Sequence, residues 1–240
     1  MGGDRTILAM DTATPDVAVA AVRNGEPLAV RSIPPEPGGR PRAATALLPA
    51  VEAIVDAAGG WAVVGLIGVG VGPGSFTGLR IGVATARALA QATSTPVASV
   101  GTLAALAHGA LAKPGERPVL AVVDARRGEV FAALYGGSGN ELWAPWVAAA
   151  EAVAERLSGL DQSPLAVGDG SVRFRAELEA AGAEVAADGE AVHALSAESV
   201  AALAAGTAPT RPEEIEPIYL RRPDAELWRE RTRKTDLAGG

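Results

Sequence analysis

The segment Gly70-Val-Gly-Pro-Gly-Ser-Phe-Thr-Gly-Leu-Arg80 carries glycines at positions 70, 72, 74 and 78, and another glycine follows at position 82. The apolar run at residues 66–71 predicts a buried strand of a parallel sheet, and residues 77–90 predict the helix after it. Glycine at such a junction permits positive φ, so free N–H groups at the helix start can face an anion or a neighbouring backbone. The segment therefore predicts an α/β fold in which something comes very close to this backbone.

The segment does not match the established nucleotide or nucleophile motifs. A Walker A loop would continue from Gly78 with Lys and Ser or Thr, and it does not. The dinucleotide fingerprint has a third glycine where Ser75 stands. A nucleophile elbow needs glycines where Pro73 and Thr77 stand. A tight turn for close packing of strand and helix therefore remains open beside an anion site.

Composition bounds the class of protein. The chain has 240 residues, of which 48% are hydrophobic, and this length allows about 70% of the unfolded surface to be buried. Cysteine is absent, so disulfides and thiolate metal sites are excluded. We find no apolar run of membrane length, no secretory segment and no lipidation signal, which predicts a cytoplasmic protein without membrane contact. The net charge of -7 argues against a protein that binds nucleic acid without a partner.

The order of predicted elements occurs twice. In the first half, strands at 6–10, 17–22 and 28–33 precede a helix at 44–58, the strand to 71, the helix after Gly78, a strand at 97–100 and a helix at 102–111. The second half repeats this order with strands at 119–123, 130–135 and 142–147, a helix at 149–157, a strand at 165–167, a helix at 172–181, a strand at 183–186 and a helix at 197–205. Both first strands end in aspartate, Asp11 and Asp124, and Gly-x-Gly-Ser turns occur at 72–75 and 168–171.

This repetition predicts a duplicated α/β protein with a mixed sheet in each half. The boundaries that follow are residues 1–112 and 119–215, joined by a linker at 113–118, and a tail at 216–240 that returns across the first half. Pro49 is expected to be tolerated only near the first turn of its helix.

Asp11-Thr-Ala-Thr14 after the first strand resembles the phosphate turn of actin-like ATPases, and residues 72–82 resemble the TsaB (YeaZ) family. Further matching pieces are residues 10–14, 47–49, 123–130 and 217–221. The resemblance implies duplicated actin-like (ASKHA, ribonuclease H-like) domains. It also implies a non-catalytic partner subunit required for tRNA N6-threonylcarbamoyladenosine (t6A) modification at the adenosine next to the anticodon, acting as a scaffold or activator of a TsaD-type transferase.

The resemblance also assigns surfaces. Two helices would form the partner-binding face, through Leu47, Leu48, Val51, Ile54, Val55, Gly78, Leu79, Gly82, Thr85, Ala86 and Leu89. Residues that could lie near a nucleotide are Asp11, Thr12, Gly74, Ser75, Phe76 and Thr77. In many relatives a histidine stands before the position of Leu47, where this chain has Arg42-Ala-Ala-Thr45.

The residues offer little for catalysis. The TsaD relatives carry a metal-binding histidine pair on the helix that begins near Thr102, whereas this chain has the single His108 there. A lone histidine on a helix is more often structural than a ligand, because stable sites need three or more protein ligands. A triad of Ser75, either His108 or His193, and Asp11 has no support from spacing. We therefore expect no catalytic residue, no metal site and no intrinsic cofactor, with ATP or ADP possible at the interface with partner subunits.

The expected partners are a TsaD-like transferase subunit, a TsaE-like ATPase acting through the complex, and a second copy when the chain is alone. Binding of tRNA is expected mainly through the complex, and a contact from the basic tail (Arg229, Arg231, Arg233, Lys234) stays open. The alternative is an autonomous enzyme: an ATPase or kinase that uses Asp11 and Asp124 near a metal, or a glycoprotease-like peptidase. Asp124 is followed by Ala-Arg-Arg-Gly, which is not a Thr/Gly phosphate turn.

Overall fold

The computed structural model describes residues 5–111 and 117–221. Its first sheet has five strands in the order β3-β2-β1-β4-β5. The first three strands are antiparallel neighbours, and the last two are parallel to β1. Asn24 and Gly25 take positive φ at the β2–β3 turn, which confirms the predicted hairpin. The strands are β1 Thr6–Asp11, β2 Val17–Arg23, β3 Glu26–Ile33, β4 Val64–Gly70 and β5 Val97–Val100.

The second sheet repeats the first. Its order is β10-β9-β6-β7-β8, with β6 antiparallel to β7 and parallel to β9, as β1 is to β2 and β4. The predicted duplication of a mixed sheet is therefore confirmed. The strands are β6 Val119–Arg126, β7 Glu129–Tyr135, β8 Glu141–Ala149, β9 Leu165–Val167 and β10 Glu184–Val185.

Helices cover the faces of both sheets. Two of them, α1 and α2, cover the outer face of the first sheet, and α4 and α6 cover the outer face of the second. Between the sheets lie α3 and α7 in a shared apolar core. The helices are α1 Ala43–Ala58, α2 Phe76–Thr93, α3 Thr102–Ala110, α4 Ala150–Leu157, α5 Asp169–Arg173, α6 Arg175–Ala180 and α7 Ala197–Gly206.

The two helices of the shared core are exchanged between the halves. The first-half helix α3 packs on β6 and β7, while the second-half helix α7 packs on β1, β2 and β4. A division at residues 1–112 and 119–215 thus follows the repeat in the sequence, but each sheet buries its inner face with a helix from the other half. None of the helices within residues 5–111 and 117–221 is long and apolar enough to cross a membrane.

Pro49 was expected only near a helix start, and that expectation is wrong. It is the seventh residue of α1. Proline removes the hydrogen bond that the carbonyl of Thr45 would accept within the helix. Both residues lie on the exposed side of the helix, where water can replace that bond.

The single helix predicted at residues 172–181 is also wrong. Two short helices, α5 and α6, replace it, and α5 begins inside the predicted turn. Phe174 separates them with a non-helical φ of -111° and ψ of 34°. Its ring packs against the outer core of the second sheet, which accounts for the break.

The chain after α7 returns across the first half, as predicted, up to the last described residue. Ile215 is buried in the core under α1 and α2. The backbone N–H of Ile218 donates to the carbonyl oxygen of Val71 at 2.7 Å. Arg221 then reaches the second half, where it donates to the carbonyl oxygen of Ala125 at 2.9 Å. The basic residues of the predicted tail lie outside the described residues.

Candidate functional site

The glycine-rich segment packs directly on the turn that follows β1. A Cβ atom on Gly74 would overlap with the carbonyl group of Ala13, and one on Gly78 with that of Thr12. The N–H of Ser75 donates to the carbonyl oxygen of Ala13 at 2.7 Å. In return, the hydroxyl of Thr12 donates to the carbonyl oxygen of Gly78 at 2.7 Å. The glycine-rich segment thus contacts a neighbouring backbone, which is one of the two interpretations that the sequence left open; the other was an anion site.

The carboxylate of Asp11 is enclosed by the same turn. Its Oδ1 accepts the N–H of Ala13 at 2.6 Å, and its Oδ2 accepts the hydroxyl of Thr102, at the start of α3, at 2.8 Å. Burial raises the pKa of Asp11 to about 6, and the two hydrogen bonds only partly offset this rise. Both oxygens of Asp11 are therefore engaged inside the protein.

The carboxylate of Asp124 occupies the matching place near the end of β6. Its Oδ1 accepts the N–H of Arg126 at 2.8 Å, the same local turn that Asp11 makes with Ala13. Its Oδ2 accepts from the guanidinium groups of Arg126 at 3.1 Å and Arg173 at 2.7 Å. The side chain is 5% exposed, so the two arginines cover it. Asp124 thus forms ion pairs with both arginines.

Two further carboxylates lie beside these turns. The Oδ1 of Asp169, at the start of α5, accepts the N–H of Asp124 at 3.0 Å. Burial is the main cause that raises the pKa of Asp169, and the nearby charge of Asp124 adds to it. The pKa of Asp16 is also raised, first by burial and then by the charge of Asp169.

A cavity of about 440 Å³ separates the two halves at this level. Four of the six residues expected near a nucleotide line it, namely residues 74–77, while Asp11 and Thr12 do not. Its walls are Ala13, Pro15, Pro41, Gly74, Ser75, Phe76, Thr77, Val123, Asp124, Ala125, Arg126, Arg127, Phe131, Asp169, Ile218, Tyr219, Leu220 and Arg221.

Most residues assigned to the partner-binding face are buried in the protein's own core. Helices in α/β proteins bury their apolar face on the sheet, and α1 and α2 do so here. Leu48 is half exposed, whereas Thr85 and Leu89 are partly exposed. The buried members of the set are Leu47, Val51, Ile54, Val55, Gly78, Leu79, Gly82 and Ala86.

The outer face of these two helices carries different residues from those expected. On α1 the exposed residues around Leu48 are Ala44, Thr45, Glu52 and Ala53. On α2 the exposed residues are Thr77, Arg80, Ala84, Ala88, Gln91 and Ala92. We call these exposed residues, with Leu48, the outer helix face. Most of its residues are alanine or threonine, so a second surface can approach it closely.

The histidines and serines do not assemble the triad considered above. The Nδ1 atom of His108 is buried without a hydrogen-bond partner. Ser75 uses its hydroxyl oxygen to accept the N–H of Gly78 at 3.3 Å, as the N-cap of α2. Within residues 5–111 and 117–221, no group of three or more His, Asp, Glu or Cys side chains is arranged to hold a metal ion.

Ser171 and His193 form a contact that was not predicted from the sequence. The hydroxyl of Ser171 lies 3.3 Å from Nδ1 of His193, and it donates to the carbonyl oxygen of Gly168 at 2.7 Å. His193 also places Nε2 3.0 Å from the carbonyl oxygen of Ala186. Ser171 is fully buried, so the pair ties the loop before α7 to the turn before α5. The signal available in the sequence was the second Gly-x-Gly-Ser turn.

Two sheets of matching strand order, each with an aspartate at or near the end of its first strand, and a cleft between the halves define the actin-like class of α/β proteins. A family model described as TsaD, tRNA N6-adenosine threonylcarbamoyltransferase, matches residues 40–225. The tRNA threonylcarbamoyladenosine biosynthesis protein TsaB of Escherichia coli is 37% identical over 169 residues, which cover 68% of this chain and 71% of that protein.

Two solved structures from Pseudomonas aeruginosa agree. YeaZ superposes with a TM-score of 0.74 at 28% identity, covering 90% of this chain and 100% of that one. A protein described as similar to the peptidase YeaZ gives a TM-score of 0.72 at 30% identity, with the same coverage. The chain belongs to the TsaB (YeaZ) family of tRNA threonylcarbamoyladenosine biosynthesis proteins, and the resemblance and fold class predicted from the sequence are confirmed.

Proposed function

We propose that this protein is the non-catalytic partner subunit of a TsaD-type transferase in t6A modification of tRNA. The name of the Escherichia coli relative and the description of the matching family model support this role. The reaction that the complex carries out is transfer of a threonylcarbamoyl group to the N6 amine of the adenosine next to the anticodon. In this proposal the present chain supplies a surface to the complex, and the partner supplies the reacting groups.

One observation carries the non-catalytic assignment: the places where an actin-like ATPase holds phosphate are filled by the protein itself. The helix start at Ser75 donates to Ala13, and both oxygens of Asp11 accept bonds from Ala13 and Thr102. In the second half, Arg126 and Arg173 cover Asp124. A phosphate or a metal ion would have to break these bonds before it could reach either carboxylate.

The outer helix face is the surface that we assign to the TsaD-like subunit. Leu48 stands on it with half of its surface exposed, beside the small exposed residues Ala44, Ala84 and Ala88. Burial of the leucine and alanine side chains of such a face removes apolar area from water. In the absence of the partner, a second copy of this chain would cover the same face.

The remaining partners follow from the complex. A TsaE-like ATPase would act through the assembled subunits, with ATP or ADP bound at their interface. The net charge of -7 assigns tRNA contact mainly to the partner. The complex would work in the cytoplasm, where tRNA is found.

The test mixes this protein with the TsaD-like protein of its own organism and measures the mass of the product by light scattering. A heteromeric complex and t6A formation that requires both chains are the expected results. An isolated chain that hydrolyses ATP or cleaves peptides, and loses this turnover in Asp11→Asn, would instead establish an autonomous enzyme.

A further inference from the structure

The β6–β7 turn holds two consecutive arginines in the left-handed region. Arg126 has a φ of 64° and Arg127 a φ of 58°, and Gly128 follows with a φ of 80°. Left-handed backbone is sterically unfavourable for residues other than Gly, Asn or Asp. The β2–β3 turn of the same chain meets the same need with Asn24 and Gly25. The arginines therefore cost stability that Asn-Gly would not, and their side chains are the reason to seek a use for them.

Both arginines are among the residues that line the cavity between the halves. Its volume of about 440 Å³ falls within the usual range for small-molecule sites. The rings of Phe76, Phe131 and Tyr219 contribute an apolar wall. Such a wall with a few convergent polar groups is the usual composition of a ligand site.

The aromatic part of this wall is held in place. The rings of Phe76 and Tyr219 lie with their centroids 5.0 Å apart. Arg80 stacks over the Phe76 ring at 3.9 Å and donates to the Tyr219 hydroxyl at 3.3 Å. The wall is therefore ordered before any ligand arrives, which lowers the entropic cost of binding.

The charges at the turn favour an anion. Arg126 contacts Asp124 through one guanidinium nitrogen, and its side chain stays 63% exposed. A guanidinium group has five N–H donors, so donors remain for a ligand. The nearby carboxylates accept bonds from the protein: Asp124 from Arg126 and Arg173, and Asp169 from the N–H of Asp124.

We propose that the cavity binds a small organic anion, with its charged group on Arg126 and Arg127 and its apolar body against the aromatic wall. Guanidinium groups bind carboxylate and phosphate alike in a bidentate manner, without a metal ion. An actin-like phosphate site would bring phosphate and a metal ion to the carboxylates of Asp11 and Asp124, whereas this site uses the guanidinium groups of the turn that follows Asp124. The cavity borders the outer helix face at Thr77 and Arg80, but its anion contacts lie on the β6–β7 turn, so binding of the anion can be tested without the partner of the proposed function.

The first experiment is calorimetric titration of the full chain in EDTA with phenyl phosphate, benzoate, inorganic phosphate and phenol. At least one of the two organic anions is expected to bind about tenfold more tightly than both inorganic phosphate and phenol. The better of phenyl phosphate and benzoate identifies the charged group. Absence of binding by both, affinity equal to that of inorganic phosphate, or binding that requires added magnesium would overturn the proposal.

The second experiment uses Arg127→Asn, because asparagine tolerates the left-handed turn. We expect the affinity of the folded variant for the organic anion to fall about tenfold or more. Arg211→Asn is the matched control, since Arg211 is an exposed, ion-paired arginine that does not line the cavity. Arg127→Gly repeats the test with the residue best suited to this φ. Two folded variants that bind the anion as tightly as the original chain would refute the site.

Discussion

Asp11 and Asp124 stand at the same place in two copies of one fold, and their surroundings differ. Each accepts the N–H of the residue two positions later, at 2.6 Å and 2.8 Å. The glycine that opens the facing turn also takes the same backbone in both halves, with a φ of 105° at Gly72 and 101° at Gly168. The two halves thus share this local hydrogen bond and the φ of this glycine.

The side chains around the two carboxylates have diverged. Asp11 is enclosed by uncharged groups, and its pKa is raised to about 6. Asp124 is covered by two guanidinium groups that are themselves about half exposed or more. Equivalent aspartates therefore have different surroundings: Asp11 is buried among uncharged groups, whereas Asp124 is ion-paired with two arginines. Neither arrangement leaves a carboxylate open to a nucleotide.

The largest effect on stability is expected in the first half, where the glycine-rich segment packs on the turn after Asp11. Gly78→Ala places a methyl group against the carbonyl of Thr12, and neither backbone has room to move. Overpacking of this kind costs about 3 kcal/mol, measured as the free energy of unfolding in urea. Gly206→Ala is the control, because nothing lies within 4 Å of its added Cβ. Equal stability of the two variants would show that the turn does not need close backbone contact.

The next effect follows from the raised pKa of Asp11. The folded protein holds this proton more tightly than the unfolded chain, whose value is 3.8. The stabilisation is fully present below pH about 4 and is lost as the pH rises through about 6. The difference amounts to about 3 kcal/mol between these limits.

Asp11→Asn removes this titration and keeps both hydrogen bonds, because its amide can accept from Ala13 and donate to Thr102. Urea unfolding of both proteins from pH 4 to pH 8 is the measurement. We expect the original chain to lose stability relative to the variant as the pH rises. Parallel profiles would contradict a raised pKa.

A smaller effect on stability is expected in the second half, at the ion-paired Asp124. Asp124→Asn removes the charge that Arg126 and Arg173 share, and both arginines are well exposed. Pairs screened by water contribute about 1 kcal/mol or less. The loss in unfolding free energy should shrink at high salt, unlike the salt-independent loss in Gly78→Ala. A loss that salt does not change would mean that this carboxylate acts as a buried group.

The sequence predicted the duplication because apolar periodicity and the two aspartates follow from local patterns. It also located the close contact at residues 72–82, since only glycine fits such an approach. Whether an anion or a backbone makes that contact depends on the position of Thr12 and Ala13, which are more than 60 residues away along the chain. The Ser171–His193 contact was not predicted for the same reason, because the two residues are 22 positions apart and share no motif.

The partner-binding face shows most clearly what could not be predicted from the sequence. Helical spacing marks the apolar side of α1, but it does not say whether that side meets the protein's own sheet or another molecule. Val51 is fully buried, and a Cβ on Gly82 would overlap with the hydroxyl of Thr12. Val51→Asp and Gly82→Trp, which the sequence alone suggests as interface tests, would unfold the protein.

The central claim is that this protein acts through the outer helix face, and Leu48→Asp tests it most directly. Leu142→Asp is the matched control: Leu48 is 50% exposed and Leu142, in the second half, is 49% exposed. Both variants should fold. Calorimetric titration with the TsaD-like partner is expected to show a loss of affinity of about a hundredfold for Leu48→Asp and no change for Leu142→Asp, because a charge at the centre of an apolar interface costs several kcal/mol. Unchanged affinity in folded Leu48→Asp would contradict the account.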